Sequence, residues 1–446
     1  MRRLAGARAW LACVVVLAAG VTGVTQTPVA TPTRVAQANA VVDAILAREF
    51  GKVTAQFDET MKAALPGDAF GTNWDRTAAQ IGSLIARRPA TEQRRGPYTI
   101  VVIPCQFEKA ALDVTVTFNA AGQIAGLQIR PPVPPWTPPA YAPAGTFTER
   151  EVTVGTGDWK LPGTLTLPTS KGPFPAIVLV HGSGPNDRDE SVGPNKTFKD
   201  LALGLASRGI AVLRYDKRTL VYAAKFAVTT GLTVKDEVID DALAAVALLR
   251  SDPAIDPTQI FVLGHSLGGT LIPRIGIADP SLAGLIVMAG LARPLEQAMV
   301  EQLQYLADAD GTVTAAEQQG IDDAKRASTA IAALTQNDLK APRSISNAPA
   351  SYWLDLRGYD PPAVAAKLPQ RLLVLQGARD YQVTTADFDR WKAGLANKKA
   401  VEFHLYPSLN HLFLVGTGKS LPAEYAVPSH VPGEVIEDIA RWVRGG

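Results

Sequence analysis

The fold is decided by nine residues, FVLGHSLGG, at positions 261–269. Apolar residues typical of a buried strand run into Gly264-His265-Ser266-Leu267-Gly268, and the apolar start of a helix follows at once. Such a strand–turn–helix exposes a serine hydroxyl on a sharp turn above a sheet, where the two glycines let neighbouring backbone approach closely. The stretch therefore predicts that Ser266 is a nucleophile.

The overall composition indicates a globular protein. Of the 446 residues, 47% are hydrophobic and 19% are charged, which is typical of a globular chain of about two or three domains. The formal net charge is +2. We therefore expect neither a nucleic acid nor an acidic membrane surface as a partner.

The N-terminus has the pattern of a secretory signal peptide, which we place at residues 1–26. Three arginines in the first eight residues precede an uncharged apolar run at 10–23, which is short for a membrane span. We expect a secreted or periplasmic protein with no stable membrane insertion after the signal is removed. Cleavage would leave Cys105 without a cysteine partner, so an internal disulfide is not expected.

The rest of the chain predicts two domains joined by a linker. Residues 34–130 carry helical periodicity, including a predicted helix at 74–86, and then alternating strand patterns, which predicts a small α+β domain. The proline-rich segment 131–144 predicts an extended linker. Residues 145–446 alternate buried strands with helices, which predicts a parallel-sheet α/β domain.

Residues 294–360 interrupt this alternation. They contain no convincing strand pattern, and we interpret them as a helical cap over the active site. Within them, Asp308–Glu317 is similar to half of a calcium-binding loop, but the first ligand position would be Leu306, which cannot coordinate. A helix capping box from Thr314 to Glu317 explains the same residues, so we expect no metal site.

Chain order restricts the base that could activate Ser266. A nucleophilic serine needs a base that accepts its proton, and the base needs an acid that orients it. In folds with this strand–turn–helix serine motif, the acid and the base both come after the serine in the chain. Three of the five histidines do so. His411 lies just past the last predicted strand, at 401–406, and we favour it over His430, which prolines bracket. His404 lies within that strand and is expected to be a packing residue.

Asp380 is the favoured acid. It follows an apolar strand at 371–376 and a short glycine turn, which places its carboxylate at the same sheet edge as Ser266. The end of the preceding strand, at 288–293, contains no carboxylate that could compete with it.

Acyl transfer also needs two backbone N–H donors for the developing oxyanion. We assign one donor to Leu267, directly after the nucleophile. The other is Ser183, in the glycine-rich loop that follows a buried strand at 176–180. Four neighbours of these donors are expected to line the substrate site: His181, Gly182, Gly184 and His265.

Two charged clusters follow strand ends, at 187–190 and 214–218. One interpretation is that they hold a charged end of the substrate. The other, which we favour, is that they form a salt-bridge network that fixes the loops.

Taken together, these motifs resemble the α/β-hydrolase superfamily over about residues 145–446. The strings HGSGPNDRDE (181–190) and RYDKR (214–218) are similar to those of exported bacterial hydrolases described as serine-aminopeptidase-like or dienelactone-hydrolase-like, near the prolyl-oligopeptidase-type esterases. The 34–130 domain resembles a small domain of unknown function found ahead of such hydrolases. The resemblance implies a triad and an oxyanion hole formed by Ser266, Asp380, His411 and the amides of Ser183 and Leu267.

The predicted function is a serine hydrolase that cleaves a carboxylic ester by acyl transfer without a cofactor. Its substrate would be a small-molecule ester or a short peptide, and its oligomeric state is unknown. Three alternatives stay open. One is an aminopeptidase or peptide hydrolase, in which Asp189, Glu190 or Asp216 would hold the substrate ammonium. The others are a thioesterase and an inactive binding protein with a hydrolase fold.

Overall fold

The structure is a computed structural model that describes residues 33–65, 67–95, 98–340 and 344–445. The predicted signal peptide at 1–26 lies outside these residues. The described chain divides into two compact units, the first reaching Pro134 and including Ala223–Ala227, and the second comprising the remainder. In the part of the chain that is described, no helix is both long enough and apolar enough to cross a membrane.

The first unit packs helices against an antiparallel sheet. Its helices are α1 (Arg34–Leu46), α2 (Phe50–Thr54), α3 (Glu59–Ala64) and α4 (Gly67–Ile81). Its strands are β1 (Leu84–Arg87), β2 (Thr91–Arg95), β3 (Tyr98–Phe107), β4 (Ala111–Phe118) and β5 (Ile124–Arg130). Strands β1, β3, β4 and β5 lie side by side in that order, and β2 also pairs with β3.

The predicted helix at 74–86 is wrong beyond Ile81. Gly82 has a φ of +78°, a conformation that ends helices and favours glycine. Leu84 then pairs with Phe107 on β3, so the last predicted helical residues form a strand.

The second unit is a mostly parallel sheet with helices on both faces. Its strands are β6 (Phe147–Val154), β7 (Leu161–Pro168), β8 (Phe174–Val180), β9 (Ser191–Val192), β10 (Asn195–Lys196), β11 (Ala211–Tyr215), β12 (Ile255–His265), β13 (Gly284–Met288), β14 (Ser344–Ile345), β15 (Ala348–Pro349), β16 (Arg371–Gly377) and β17 (Val401–Tyr406). The helices that follow α4 in the chain are α5 (Thr197–Ala206), α6 (Arg218–Val221), α7 (Ala223–Val228), α8 (Asp240–Arg250), α9 (Leu267–Ala278), α10 (Leu295–Ala307), α11 (Ala315–Ala332), α12 (Ala350–Leu356), α13 (Pro361–Ala365), α14 (Thr385–Gly394) and α15 (Gly433–Val443). Of these, α7 belongs to the first unit except for its last residue.

The order of strands in the main sheet places the functional loops together. Among the described residues the order is β17-β16-β13-β12-β8-β11-β7-β6, and β6 and β7 are the antiparallel edge. The chain runs from β8 to β11 on one side and returns to β12 on the other, so the crevice beside β8 is a topological switch point, where α/β sheets bind ligands. Gly264 on β12 lies opposite Val180 on β8, so the loop after Val180 and the turn at Ser266 leave neighbouring strand ends.

The central strands are apolar throughout because both faces of the sheet are covered. Val178 and Val262 pack into a core layer with α8 and α9, whereas Ile177 and Leu263 pack into a layer on the opposite face with α5 and α15. The predicted α/β class of this domain is confirmed.

The cap segment at 294–360 differs from the prediction in one element. It contains α10, α11 and α12, and the predicted capping box joins Thr314 and Glu317 at the start of α11. It also contains the short hairpin β14–β15, so the expectation of an all-helical insertion is wrong. The turn residues Ser346 and Asn347 both have positive φ, which suits a two-residue hairpin turn.

The second half of the proline-rich segment is packed within the second unit. The indole N–H of Trp136 donates to Asp200 at 3.0 Å, and the Tyr141 hydroxyl donates to the Val431 carbonyl at 2.7 Å. These contacts fix this half of the predicted linker to the domain that follows, because its aromatic side chains find polar partners there.

Candidate active site

Ser266 occupies a strained turn between β12 and α9. Its φ of 53° and ψ of −116° are unusual for a residue with a side chain, a conformation that costs about 1–3 kcal/mol. The Ser266 N–H donates to the Met288 carbonyl at 2.9 Å, and its carbonyl accepts from the Thr270 N–H at 2.9 Å. The neighbouring strand and the helix therefore hold the strained residue from both sides.

The two glycines of the motif are required by close backbone contacts. A Cβ on Gly264 would lie 2.3 Å from the backbone of Gly268, and a Cβ on Gly268 would lie 2.3 Å from the Val180 carbonyl oxygen. Only hydrogen fits at either position, because backbone atoms cannot move aside as a flexible side chain would.

The structure brings Asp380 and His411 together. His411 Nδ1 donates to Asp380 Oδ2 at 2.7 Å, and both residues are buried. The other carboxylate oxygen accepts the backbone N–H groups of Gln382 and Val383, at 2.8 and 2.9 Å. These bonds fix the carboxylate, and the carboxylate in turn fixes the imidazole with Nδ1 protonated, which leaves Nε2 as the basic atom.

Two features shape the loops that carry Asp380 and His411. A Cβ on Gly377 would lie 2.4 Å from the Leu409 carbonyl oxygen, so the glycine turn before Asp380 lets the loop of His411 pass directly beside it. Within that loop, the side-chain oxygen of Asn410 accepts the N–H groups of Leu412 and Leu414, each at 3.1 Å. The loop is therefore organised by its own hydrogen bonds.

The loop after β8 lies against the nucleophile. A Cβ on Gly182 would lie 3.0 Å from the Cβ of Ser266, so this residue can only be small. The Gly182 N–H donates to Glu190 Oε1 at 2.8 Å, and the Gly182 carbonyl accepts from Lys217 Nζ at 2.7 Å. Among the described residues, the N–H groups of Ser183 and Leu267 make no hydrogen bond to protein.

A buried ion pair lies behind the nucleophile. His265 Nδ1 is 2.9 Å from Glu190 Oε2, although the ring is not aligned for a good hydrogen bond, and His265 Nε2 donates to the His411 carbonyl at 2.9 Å. Burial opposes the charge on the imidazole, but the Glu190 carboxylate outweighs it and raises the pKa of His265. Burial likewise opposes the carboxylate charge, but His265 and the Gly182 N–H lower the pKa of Glu190. The pair thus joins three segments that surround Ser266.

The expectation that His181 and His265 contact substrate is wrong for their side chains. His181 is buried against the rings of Phe198 and Tyr215, and its Nε2 donates to the Asp187 carbonyl at 3.0 Å. Burial lowers the pKa of His181 to about 4, and the nearby Lys217 acts in the same direction. Both histidine side chains therefore stabilise the loops from the protein interior. Gly184, with a φ of +92°, lies at the exposed turn.

The remaining histidines have carboxylate neighbours elsewhere. His430 Nδ1 donates to Asp200 at 3.0 Å, and His404 lies 3.4 Å from Asp438 at the sheet edge. The structure therefore pairs His411, and not His430, with Asp380.

The charged clusters form a network of ion pairs. Arg188 makes a two-pronged contact with Asp216, at 3.2 and 3.0 Å, and Arg214 pairs with both Asp189 and Glu149. These residues line an open cleft of about 420 Å³, which contains no member of the predicted triad. The favoured interpretation, a network that fixes the loops, agrees with these contacts.

A smaller cavity of about 110 Å³ lies between α9 and the cap. Leu267, the residue after the nucleophile, forms part of its wall. The remaining lining is largely apolar and includes Leu291, Leu295, Trp353 and Leu356.

Sequence reasoning missed two polar residues that support the site. Gln376 Nε2 donates to the Val383 carbonyl at 2.7 Å and lies 3.2 Å from Asp380. Glu237 is buried and lies 2.6 Å from Lys217. Gln376 had a signal in the sequence, because it is a polar residue on a strand face that is otherwise apolar. Glu237 had none, because polar residues lie near it on the same helical face.

No group of His, Cys, Asp or Glu side chains within the described ranges is arranged to hold a metal ion.

Comparisons with known proteins assign the two parts of the chain to families. Residues 177–426 match the alpha/beta hydrolase family, and residues 38–127 match a family of proteins of unknown function, DUF3887. The chain is 38% identical over 385 residues to esterase EstD of Thermotoga maritima, covering 86% of this chain and 89% of that protein.

Two solved structures are similar to parts of this chain at low identity. Est1E from Butyrivibrio proteoclasticus is 13% identical with a TM-score of 0.42, covering 66% of this chain and 99% of that one. A puromycin-hydrolysing peptidase of Mycobacterium tuberculosis is 15% identical with a TM-score of 0.42, covering 81% of this chain and 48% of that one.

Proposed function

Because this chain belongs to the alpha/beta hydrolase family, we propose that it hydrolyses carboxylic esters by acyl transfer. Ser266 attacks the ester carbonyl while His411 accepts its proton, and the N–H groups of Ser183 and Leu267 donate to the oxyanion. His411 then returns the proton to the leaving alcohol. A water molecule, activated by the same imidazole, hydrolyses the acyl-enzyme and frees Ser266.

The bond between His411 and Asp380 is the observation that carries this proposal. The 2.7 Å contact selects the tautomer in which Nε2 is basic, and it lies at the sheet edge from which the strained Ser266 projects. A histidine that only packed into the core would not need a carboxylate that two backbone N–H groups also hold. The arrangement is suited to general base catalysis on a serine.

An ester is favoured over a peptide with a free amino terminus. An aminopeptidase needs an unpaired anion for the substrate ammonium, and the three anions considered for that role are all paired. Asp189 contacts Arg214 and Lys196, Glu190 contacts His265, and Asp216 contacts Arg188. The largely apolar cavity beside Leu267 is also better suited to an uncharged acyl chain.

We also propose that the protein acts outside the cytoplasm. The arginines and the apolar run at 10–23 support export, and an esterase without a cofactor needs no cytoplasmic reactant. Fractionation of cells that express the full chain would test this, and a protein retained in the cytoplasm at full length would contradict it.

The test of the ester proposal is a substrate panel on wild type and Ser266→Ala. We expect p-nitrophenyl butyrate to be hydrolysed much faster than alanine p-nitroanilide or a butyryl thioester. Ser266→Ala should lower kcat by at least about 10⁴-fold, because no other group can form the acyl-enzyme. Ser281→Ala, in a surface turn, is the matched control. Full activity in Ser266→Ala, or faster turnover of the anilide, would contradict the proposal.

A further inference from the structure

The peptide unit that joins Gly182 and Ser183 is held by a buried lysine. A trans peptide is planar, so its C=O and its N–H point in opposite directions. Lys217 Nζ donates to the Gly182 carbonyl at 2.7 Å, and Asn186 Nδ2 donates to the same oxygen at 3.2 Å. With the carbonyl directed towards the buried ammonium, the Ser183 N–H must point the other way, to the exposed side of the loop.

The Lys217 ammonium is unusual in its surroundings. Its side chain is 3% exposed, and removing an ammonium from water costs several kcal/mol unless it is well paired. Its ionic partner is Glu237, at 2.6 Å, whose own side chain is 8% exposed. Glu237 lies in a π-helical turn at Lys235–Ile239, a local irregularity that is frequent at functional sites.

The same carboxylate lies near the cap. Tyr352 on α12 is buried, and burial together with the nearby Glu237 carboxylate raises the pKa of Tyr352. Glu237 is therefore close enough to the cap to influence Tyr352, and direct contacts run from Glu237 through Lys217 to the carbonyl of Gly182. Both charged side chains are buried, so these contacts are well defined in position.

From this geometry we infer that Lys217 is a positioning residue for the oxyanion hole. It sets the orientation of the Gly182–Ser183 peptide and prevents a flip that would point the carbonyl at the substrate oxyanion. Its charge on the carbonyl oxygen also polarises the peptide, which strengthens the Ser183 N–H as a donor. Glu237 keeps the ammonium in place. This inference rests on the proposed acyl-transfer function.

The neighbouring residue supplies a matched control. Arg218 is also buried and forms an ion pair with Asp241, with a Nε to oxygen distance of 3.0 Å. No hydrogen bond joins its side chain to the Gly182–Ser183 peptide in the part of the chain that is described. Lys217→Met and Arg218→Met therefore each break one buried ion pair, but only the first releases the peptide.

The test compares these variants with p-nitrophenyl butyrate and with a trifluoromethyl ketone inhibitor. Such a ketone adds to the serine, and its oxyanion occupies the same hole as that of the transition state. Lys217→Met should lower kcat by about 10- to 100-fold with KM within about threefold, because the donor acts mainly on the transition state. The inhibition constant should rise in proportion to the loss of kcat/KM.

Arg218→Met should reduce the thermal midpoint but leave kcat within about threefold of wild type. If Lys217→Met does not fold, the double variant Lys217→Met with Glu237→Gln removes both charges and should show the same kinetic loss. Equal kcat and equal inhibitor affinity in the Lys217 and Arg218 variants would overturn the inference. That result is distinct from failure of the proposed function, which would appear as activity retained by Ser266→Ala.

Discussion

The loop after β8 contributes one residue to each of two ion pairs, and the two pairs have different surroundings. Glu190 pairs with His265 behind the nucleophile, with both side chains no more than 4% exposed, whereas Arg188 pairs with Asp216 at the rim, where both are 20% exposed. The buried pair also binds the Gly182 N–H and the His411 carbonyl, which belong to the segments around Ser266. The rim pair fixes its loop to β6 and β7 through Glu151 and Thr164. Both pairs join opposite charges, but they contact different segments. We therefore expect loss of the buried pair to affect catalysis and loss of the rim pair to affect mainly the loop.

Asp380→Asn should have the largest effect on kcat, and the losses caused by the ion-pair variants can be compared with it. The amide preserves the shape but can present an N–H to His411 Nδ1, which favours the wrong tautomer. We expect kcat for an ester to fall by about 10⁴-fold with little change in KM. Steady-state kinetics checks this, with Asp389→Asn on the outer face of α14 as a control. A loss below about tenfold would show that Asp380 is not the orienting acid.

Glu190→Gln tests the buried pair. It leaves His265 without its anion and weakens the hold on Gly182, so we expect kcat to fall by about 10- to 100-fold. Breaking a buried pair should also lower the free energy of unfolding by about 3–5 kcal/mol. Kinetics and denaturant titration measure the two effects. A stability loss with unchanged kcat would mean that the pair only supports the fold.

The stability deficit of Glu190→Gln should depend on pH. The pKa of His265 is raised above its ordinary 6.5, so the contribution of the pair is fully present below pH 6.5 and is lost as the pH rises through the raised pKa. The pKa of Glu190 is lowered from its ordinary 4.5, so the contribution is also lost as the pH falls below 4.5. Denaturant midpoints of wild type and variant across this range should differ most between pH 4.5 and 6.5. A deficit that grows above neutral pH would contradict this assignment of charges.

Arg188→Met should have the smallest effect. The rim pair is partly exposed and screened, so we expect a stability loss of about 1 kcal/mol or less and kcat within about threefold of wild type. Because an arginine does not titrate near neutrality, the deficit should be flat between about pH 5 and 9. A kinetic loss as large as that of Glu190→Gln would remove the distinction between the two pairs.

Much of the candidate site follows from local sequence. Ser266 and Asp380 each follow an apolar run, and His411 follows a strand with alternating polar residues; all three strands belong to the main sheet, and strand ends of a parallel sheet meet at one edge. Short sequence patterns are therefore enough to predict where these three residues lie in the fold. The fold class could be predicted for the same reason, because strands buried on both faces are continuous apolar runs.

The supporting residues could not be assigned in this way. Glu237 supports a loop more than fifty residues earlier in the chain, and no local pattern states which carbonyl or ammonium a buried acid will meet. His265 was expected at the substrate, but its direction is set by Glu190 and by the backbone of His411. The hairpin at Ser344–Pro349 is too short for strand periodicity to be visible.

Covalent labelling tests the central claim most directly. A fluorophosphonate should react with the folded protein at one label per chain. Mass spectrometry of a tryptic digest should then place the added mass in the peptide Ser251–Arg274, with fragment ions that assign it to Ser266 and not Ser251. Ser266→Ala should take up no label while retaining the wild-type fold. Labelling of a different residue, or an unlabelled but folded wild-type protein, would contradict the account.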